Sequence, residues 1–167
     1  MNEHNCFGST FPLRSVFAKI VSRDWYDGTT AGVAQCARCQ TCFKYDIIDW
    51  DSDQERRIFA LSPIEVREFE SIVQLLSESD SPTWPFWSPK WWQLTSPEKE
   101  RITEEMDRCL ARAKSPEFLL ASDWKLETIF AAKRLTGSTR NRLPPVFDGL
   151  PANNDFSYWA ECVGLHT

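Results

Sequence analysis

The chain has 167 residues, of which 42% are hydrophobic and 13% aromatic, and this composition predicts one folded domain rather than a disordered protein. Its formal net charge of −5 argues against a protein that neutralises phosphates, so we expect no nucleic-acid partner. The N-terminus lacks the basic and apolar regions of a signal peptide, and no apolar stretch is long enough to span a membrane. These features predict a cytoplasmic protein without membrane contact.

The first half of the chain is predicted to be mainly β-structure. Residues 13–21 carry a short apolar pattern that fits either one or two helical turns or an edge strand. Residues 33–36, 43–47 and 57–61 are short apolar or alternating segments that turn-forming residues separate. These three segments predict a three-stranded antiparallel meander.

Two amphipathic helices are predicted to follow the meander. Residues 62–65, with the sequence Ser-Pro-Ile-Glu, have the pattern of a capping box with proline at the first helical position, and predict a helix that runs to about Ser77. Residues 96–98 repeat this start signal, and an apolar stripe predicts a second helix that ends near residue 114. The segment 82–92 between them contains three prolines and is predicted to be a loop.

The last part of the chain predicts a hairpin and a tail. Residues 118–121 and 126–135 read as two strands, and from residue 136 onward proline and glycine interrupt every regular period. We therefore expect an α+β fold, in which an antiparallel meander and a C-terminal hairpin pack against two amphipathic helices. Residues 1–135 are predicted to form this single domain. Residues 136–167 are predicted to form an extended tail that packs on the domain or on a partner.

Three of the six cysteines lie in the segment 36–42, which contains two overlapping C-x-x-C spacings. One such spacing can supply two thiolates to a zinc ion from a single turn, and the segment resembles the first half of a zinc ribbon. We expect unligated, partly buried thiols and no cofactor, and the alternative is one structural zinc ion with Cys36, Cys39 and Cys42 as its ligands. The second half of a ribbon is missing. Any further ligand is expected to be His4, Cys6, Cys109 or Cys162.

The chain has few side chains suited to catalysis. Its two histidines, His4 and His166, lie within four residues of a terminus, so a serine or cysteine nucleophile has no mid-chain base. No glycine-rich phosphate-binding loop is present. We predict that the protein is not an enzyme.

Tryptophan is unusually abundant, with eight in the chain and four of them in the segment 84–92. Such a run either packs over a core or presents flat aromatic faces to a partner. The predicted partner-binding residues are the aromatic side chains of this segment and of the tail: Trp84, Phe86, Trp87, Trp91, Trp92, Tyr158 and Trp159.

The lack of catalytic groups, the negative charge and the surplus of aromatic residues together predict a small acidic protein that binds another, basic protein. An adaptor, an inhibitor or an immunity-type partner would fit this description. Two alternatives stay open at this point. One is a zinc-stabilised module that uses the cysteines of segment 36–42, and the other is a module that binds a carbohydrate or a peptide through the loop 84–92.

Overall fold

Seven antiparallel strands form one sheet, which is the main element of the protein. The computed structural model describes residues 4–8, 10–51, 53–77, 89–144 and 156–165. In chain order the strands are β1 (Leu13–Arg14), β2 (Phe17–Trp25), β3 (Thr29–Cys36), β4 (Cys42–Asp51), β5 (Arg56–Ile64), β6 (Phe118–Asp123) and β7 (Thr128–Arg134). Their order across the sheet is β1-β7-β6-β5-β4-β3-β2, so among the described strands β1 and β7 are the one pair of neighbours that do not follow each other in chain order.

The sheet bends into a half-barrel, and its two edge strands are joined by only two residues. β1 pairs with β7 and β2 pairs with β3, and only Ser15 and Val16 separate β1 from β2. Ser15 N–H donates to the carbonyl oxygen of Glu127 at 3.0 Å, while the carbonyl oxygen of Val16 accepts from Ala37 N–H at 2.8 Å. The segment between the edge strands is therefore bonded to both sides of the sheet, which brings the two edges together.

The main core lies inside the half-barrel. Side chains alternate between the two faces of a strand, and in β4 Phe43, Tyr45 and Ile47 all belong to the interior cluster. Cys42, one residue before Phe43, belongs to a different cluster on the other face. The buried phenol of Tyr45 has its Oη 2.6 Å from Thr29 Oγ1, so this polar group keeps a hydrogen bond in the core.

In the described part of the chain, five short helices accompany the sheet: α1 (Val66–Ser77), α2 (Pro89–Gln93), α3 (Ser96–Leu110), α4 (Gly137–Arg140) and α5 (Phe156–Val163). α1 and α3 contact each other, and both bury apolar side chains, Phe69 from α1 and Met106 from α3, against Val33 of β3. α5 covers a separate patch, where Trp159 packs with Ile58 of β5. The helices thus cover two outer patches of the sheet.

The prediction of an α+β fold with an extended tail is wrong. The protein is mostly antiparallel sheet, because residues 13–25 add β1 and β2 to the predicted strands. The curved sheet encloses a core of its own, so the helices cover patches and do not form a second layer. Residues 156–163 of the predicted tail form α5, which buries Trp159, Ala160 and Val163 on one face.

The two predicted helix starts had different outcomes. Ser62 and Pro63 lie in β5, so the predicted capping box of residues 62–65 does not form and α1 begins at Val66. β5 is extended at this point because it is a central strand, and the carbonyl oxygen of Pro63 accepts from Lys114 N–H at 2.9 Å. The second start is confirmed. α3 begins at Ser96, after a capping box that Thr95 forms with Glu98.

Candidate metal centre

The turn between β3 and β4 brings the sulfur atoms of Cys36 and Cys39 together. Cys36 is the last residue of β3, and its N–H donates to the carbonyl oxygen of Thr41 at 2.9 Å across the turn. Gln40 has a left-handed backbone with φ of 64°, and its N–H donates to the carbonyl oxygen of Cys36 at 3.1 Å. The chain therefore reverses directly after Cys39, and the two sulfur atoms lie within 4.8 Å of each other.

The N-terminal segment supplies an imidazole and a third thiol to the same place. The ring of His4 makes edge contacts with three aromatic rings, with centroid separations of 4.6 Å to Phe7, 5.0 Å to Phe43 and 5.5 Å to Phe118. This packing places His4 Nδ1 3.2 Å from Cys39 Sγ. Cys6 follows two residues later on the same segment. Residues 4–6 of the N-terminal segment therefore meet Cys36 and Cys39 of the β3–β4 hairpin at one site.

His4, Cys6, Cys36 and Cys39 each offer one ligand atom, and all four atoms lie within 4.8 Å of one another. A tetrahedral zinc ion with bonds of about 2.0–2.3 Å has neighbouring ligands about 3.3–3.8 Å apart. The four atoms are therefore close enough to one another to share one metal ion. This group, which we call the Cys3His group, is positioned to bind a metal ion.

The environment of His4 favours its neutral form. Burial among aromatic rings, together with the positive charge of Arg134, lowers the pKa of the imidazole from its ordinary value. The neutral imidazole is the form that binds metals. Nδ1 faces the sulfur atoms, whereas Nε2 is buried and has no hydrogen-bond partner among the described residues. Nδ1 is therefore the atom that can act as a ligand.

The three thiols of the group influence one another strongly. Burial raises the pKa of Cys6 to about 12, and the nearby Cys39 and Cys36 sulfur atoms act in the same direction. Burial also opposes the ionisation of Cys39, but hydrogen bonds with Thr41, Cys6 and Cys36 together outweigh it and lower the pKa of that thiol. Three thiolates this close repel one another, and a divalent cation between them would supply the charge that allows all three to ionise.

Cys42, a predicted metal ligand, lies outside the Cys3His group. It is buried in the apolar cluster that α1 and α3 form against β3, which we call the helical patch. Its S–H donates to the carbonyl oxygen of Gln40 at 3.5 Å. The alternation of β4 explains this position. Phe43 and Tyr45 point into the half-barrel, so Cys42 must point to the opposite face, whereas Cys36 shares the inner face with Ala34 of β3.

The sequence alone left the remaining ligands open among four residues. Of these, the structure places His4 and Cys6 in the group. Cys109 packs in the helical patch, and Cys162 packs in the apolar cluster between α5 and the sheet. No spacing rule separates these candidates, because the contact between residues 4–6 and the β3–β4 turn depends on how the half-barrel closes. The alternation of β4 was the one sequence signal that argued against Cys42.

The predicted aromatic partner-binding residues do not form one surface in the described part of the chain. Trp84, Phe86 and Trp87 lie outside the described residues. Trp91 is 5% exposed and packs in the helical patch, whereas its neighbour Trp92 is 67% exposed. Tyr158 and Trp159 lie on α5, where Trp159 is buried and its ring centroid is 4.9 Å from that of Tyr158. Their role in partner binding stays a prediction.

No family model, no curated protein and no solved structure matches this chain. Within the described ranges, no helix is both long enough and apolar enough to cross a membrane. What the protein does therefore has to be inferred from the chemistry of its own side chains.

Proposed function

We propose that the protein is a small, non-enzymatic binding module whose half-barrel is stabilised by one structural zinc ion. The single observation that supports this proposal is the convergence of the Cys3His group, in which four ligand atoms lie within 4.8 Å of one another. The proposed ligands are His4 through Nδ1 and Cys6, Cys36 and Cys39 through their sulfur atoms.

The donor set favours zinc over other common metals. Three sulfur atoms and one imidazole nitrogen are a known tetrahedral zinc set, whereas magnesium and calcium prefer oxygen ligands. A structural role follows from the number of protein ligands. Four protein donors complete a tetrahedron, so no position is left for a substrate or a reactive water, as a catalytic zinc requires.

A bound zinc ion would cross-link two separate segments of this fold. Residues 4–6 lie outside any helix or strand, while Cys36 and Cys39 belong to the β3–β4 hairpin. A shared metal ion ties the N-terminal segment to that hairpin, next to Phe43 and Phe118, and so closes one end of the half-barrel. Because the unfolded chain has no such site, the binding free energy of the metal adds to the stability of the folded state.

The non-enzymatic part of the proposal rests on the same group. His4 is the one histidine among the described residues, and metal binding at Nδ1 would remove it as a general base. The net charge of −5 favours a basic protein as the partner, because opposite charges steer and orient association.

The metal content of the protein tests this proposal. We expect protein purified without added metal to contain one zinc ion per chain, and its zinc-edge X-ray absorption to show three sulfur ligands at about 2.3 Å and one nitrogen ligand at about 2.0 Å. Cys6→Ser should lose the metal. Cys42→Ala should keep it, although both changes remove one thiol, because Cys42 lies outside the group.

Three outcomes would contradict the proposal. They are a metal-free protein that remains metal-free after incubation with zinc, a first shell that contains fewer than three sulfur atoms, and metal loss in Cys42→Ala with retention in Cys6→Ser. A mass measurement under non-reducing conditions separates a further case. A disulfide within the group would lower the mass by about 2 Da, the mass of two hydrogen atoms, and would prevent zinc binding until it is reduced.

A further inference from the structure

A pocket of about 380 Å³ lies at the end of the half-barrel opposite the β3–β4 turn. Three hairpin turns meet there: residues 26–28 between β2 and β3, residues 53–55 between β4 and β5, and residues 124–127 between β6 and β7. Antiparallel neighbours that follow each other in sequence place alternate turns at the same end of a sheet. The mouth of a barrel-like sheet is a common position for a ligand site.

Backbone contacts between the turns form this pocket in the folded chain. Thr29 N–H donates to the carbonyl oxygen of Trp124 at 3.0 Å, which joins the first turn to the third. Gly28 has φ of 139°, and a Cβ atom added to it would lie 2.5 Å from that same oxygen, so glycine is required there. The guanidinium of Arg57 donates to the carbonyl oxygens of Tyr26 at 2.7 Å and Thr29 at 2.9 Å. These two bonds hold the β2–β3 turn in place.

Three aromatic rings line the pocket, namely those of Tyr26, Trp50 and Trp124. Tyr26 is half exposed, and its ring centroid lies 5.6 Å from that of Trp50 in an edge contact. The faces of aromatic rings carry partial negative charge and attract cations. The ammonium of Lys125, an exposed residue, lies 4.5 Å from the centroid of the Trp124 ring, so the chain's own lysine makes this kind of contact at the pocket.

Three carboxylates share the lining with these rings: Asp27, Asp51 and Glu55. Two guanidinium groups, those of Arg56 and Arg57, also border the pocket, and the Cζ atom of Arg57 lies 5.4 Å from the ring centroid of Trp50. Arg57 is 3% exposed and donates to backbone carbonyl oxygens, while the Cζ atom of Arg56 lies 4.9 Å from the ring centroid of Phe130. The open space is therefore bordered by aromatic rings, three carboxylates and two guanidinium groups, and these three negative and two positive charges give the lining a formal charge of −1.

We propose that this pocket binds a cationic side chain, a lysine or an arginine, of a partner protein. The inference rests on the proposed binding function and names the chemistry of its partner. The aromatic rings supply cation–π contacts, the carboxylates supply complementary charge, and the net charge of −5 attracts a basic surface from a distance. The carboxylates of the pocket and the negative net charge of the whole chain also disfavour a nucleic acid as the occupant.

Peptide titration of the zinc-loaded full chain tests this proposal. The probes are three short peptides of the form Gly-X-Gly-X-Gly, in which X is lysine, arginine or glutamate. The readout is the indole N–H signals in ¹H–¹⁵N spectra, with the signals of Trp50 and Trp124 identified from the single Trp→Phe variants. We expect both signals to shift in a saturable way with the lysine and arginine peptides and to stay unchanged with the glutamate peptide.

Charge variants give the test a direction. Glu55→Gln should weaken binding of the lysine peptide by about two- to five-fold, and Lys125→Gln should strengthen it by a similar factor, because Lys125 is a competing cation. Trp124→Ala should weaken binding by about three- to thirty-fold. Glu70→Gln is the matched control. It removes one negative charge from α1 near Cys42, at the other end of β4, and should leave binding unchanged.

Changes in peptide affinity opposite to those expected would overturn the proposal. Stronger binding of the glutamate peptide, with loss of affinity in Lys125→Gln, would show an anion site, and the absence of any saturable shift would show that the pocket takes no charged side chain. Zinc analysis of the same samples keeps the two proposals apart. Peptide binding by a zinc-free protein would refute only the structural zinc, whereas one zinc per chain without peptide binding would refute only the pocket.

Discussion

Loss of Cys6 is expected to remove a cross-link and leave the apolar core in place. A metal ion in the Cys3His group would tie Cys6 to Cys36 and close a loop of about 30 residues, and a cross-link around a loop of that size contributes about 3.5 kcal/mol to stability in the chain-entropy model. For a domain of this length, each kcal/mol changes the melting temperature by about 2–4 °C. Cys6→Ser should therefore lower the melting temperature by about 7–14 °C.

Thermal unfolding of three proteins, each with zinc and with a strong chelator, measures this effect. The wild-type protein in chelator should melt close to Cys6→Ser, and the chelator should have no further effect on that variant. Cys162→Ser is the matched control, because it removes a thiol on α5 outside the Cys3His group and should respond to the chelator as the wild type does. An equal melting temperature for Cys6→Ser and wild type in zinc would refute this reasoning.

Further predictions concern the core, the helices and acid stability. Tyr45→Phe should lower the free energy of unfolding by about 1 kcal/mol in urea titrations, because it removes the 2.6 Å hydrogen bond to Thr29 Oγ1 while Thr29 keeps its bond from Ser22 Oγ, and an unchanged midpoint would contradict the hydrogen bond. Trp91→Ala should destabilise the protein by about 3–5 kcal/mol, whereas Trp92→Ala should change stability by less than about 0.5 kcal/mol in the same assay, and similar effects would contradict their different burial. The hydrogen-bonded Arg112 lowers the pKa of Glu68, so their ion pair stabilises the fold above the ordinary glutamate pKa and is lost as the pH falls through the lowered value. Glu68→Gln should therefore make the unfolding midpoint less sensitive to pH below about 5 than it is in the wild type, and parallel pH profiles would exclude this pair as a source of acid sensitivity.

Several local elements could be predicted because their signals lie within a few residues. The alternation of Phe43, Tyr45 and Ile47 depends only on the two-residue period of a strand, and the structure places all three inside the half-barrel. The start of α3 depends on a cap and a proline within one turn. The same kind of signal at residues 62–65 failed, because pairing of residues 62–64 with β4, and the bond from Lys114 N–H to the carbonyl oxygen of Pro63, outweigh a local preference for helix.

The pairing of Cys36 with Cys39 follows from the sequence by itself, because three residues and a tight turn are enough to bring two thiols to one place. The sequence likewise sets the negative charge and the shortage of catalytic groups, which depend on composition alone. Only the tertiary structure decided that His4 and Cys6 join those thiols. The physical reason is that a contact across some 30 residues depends on the curvature and closure of the whole sheet, and no local pattern of side chains encodes that closure.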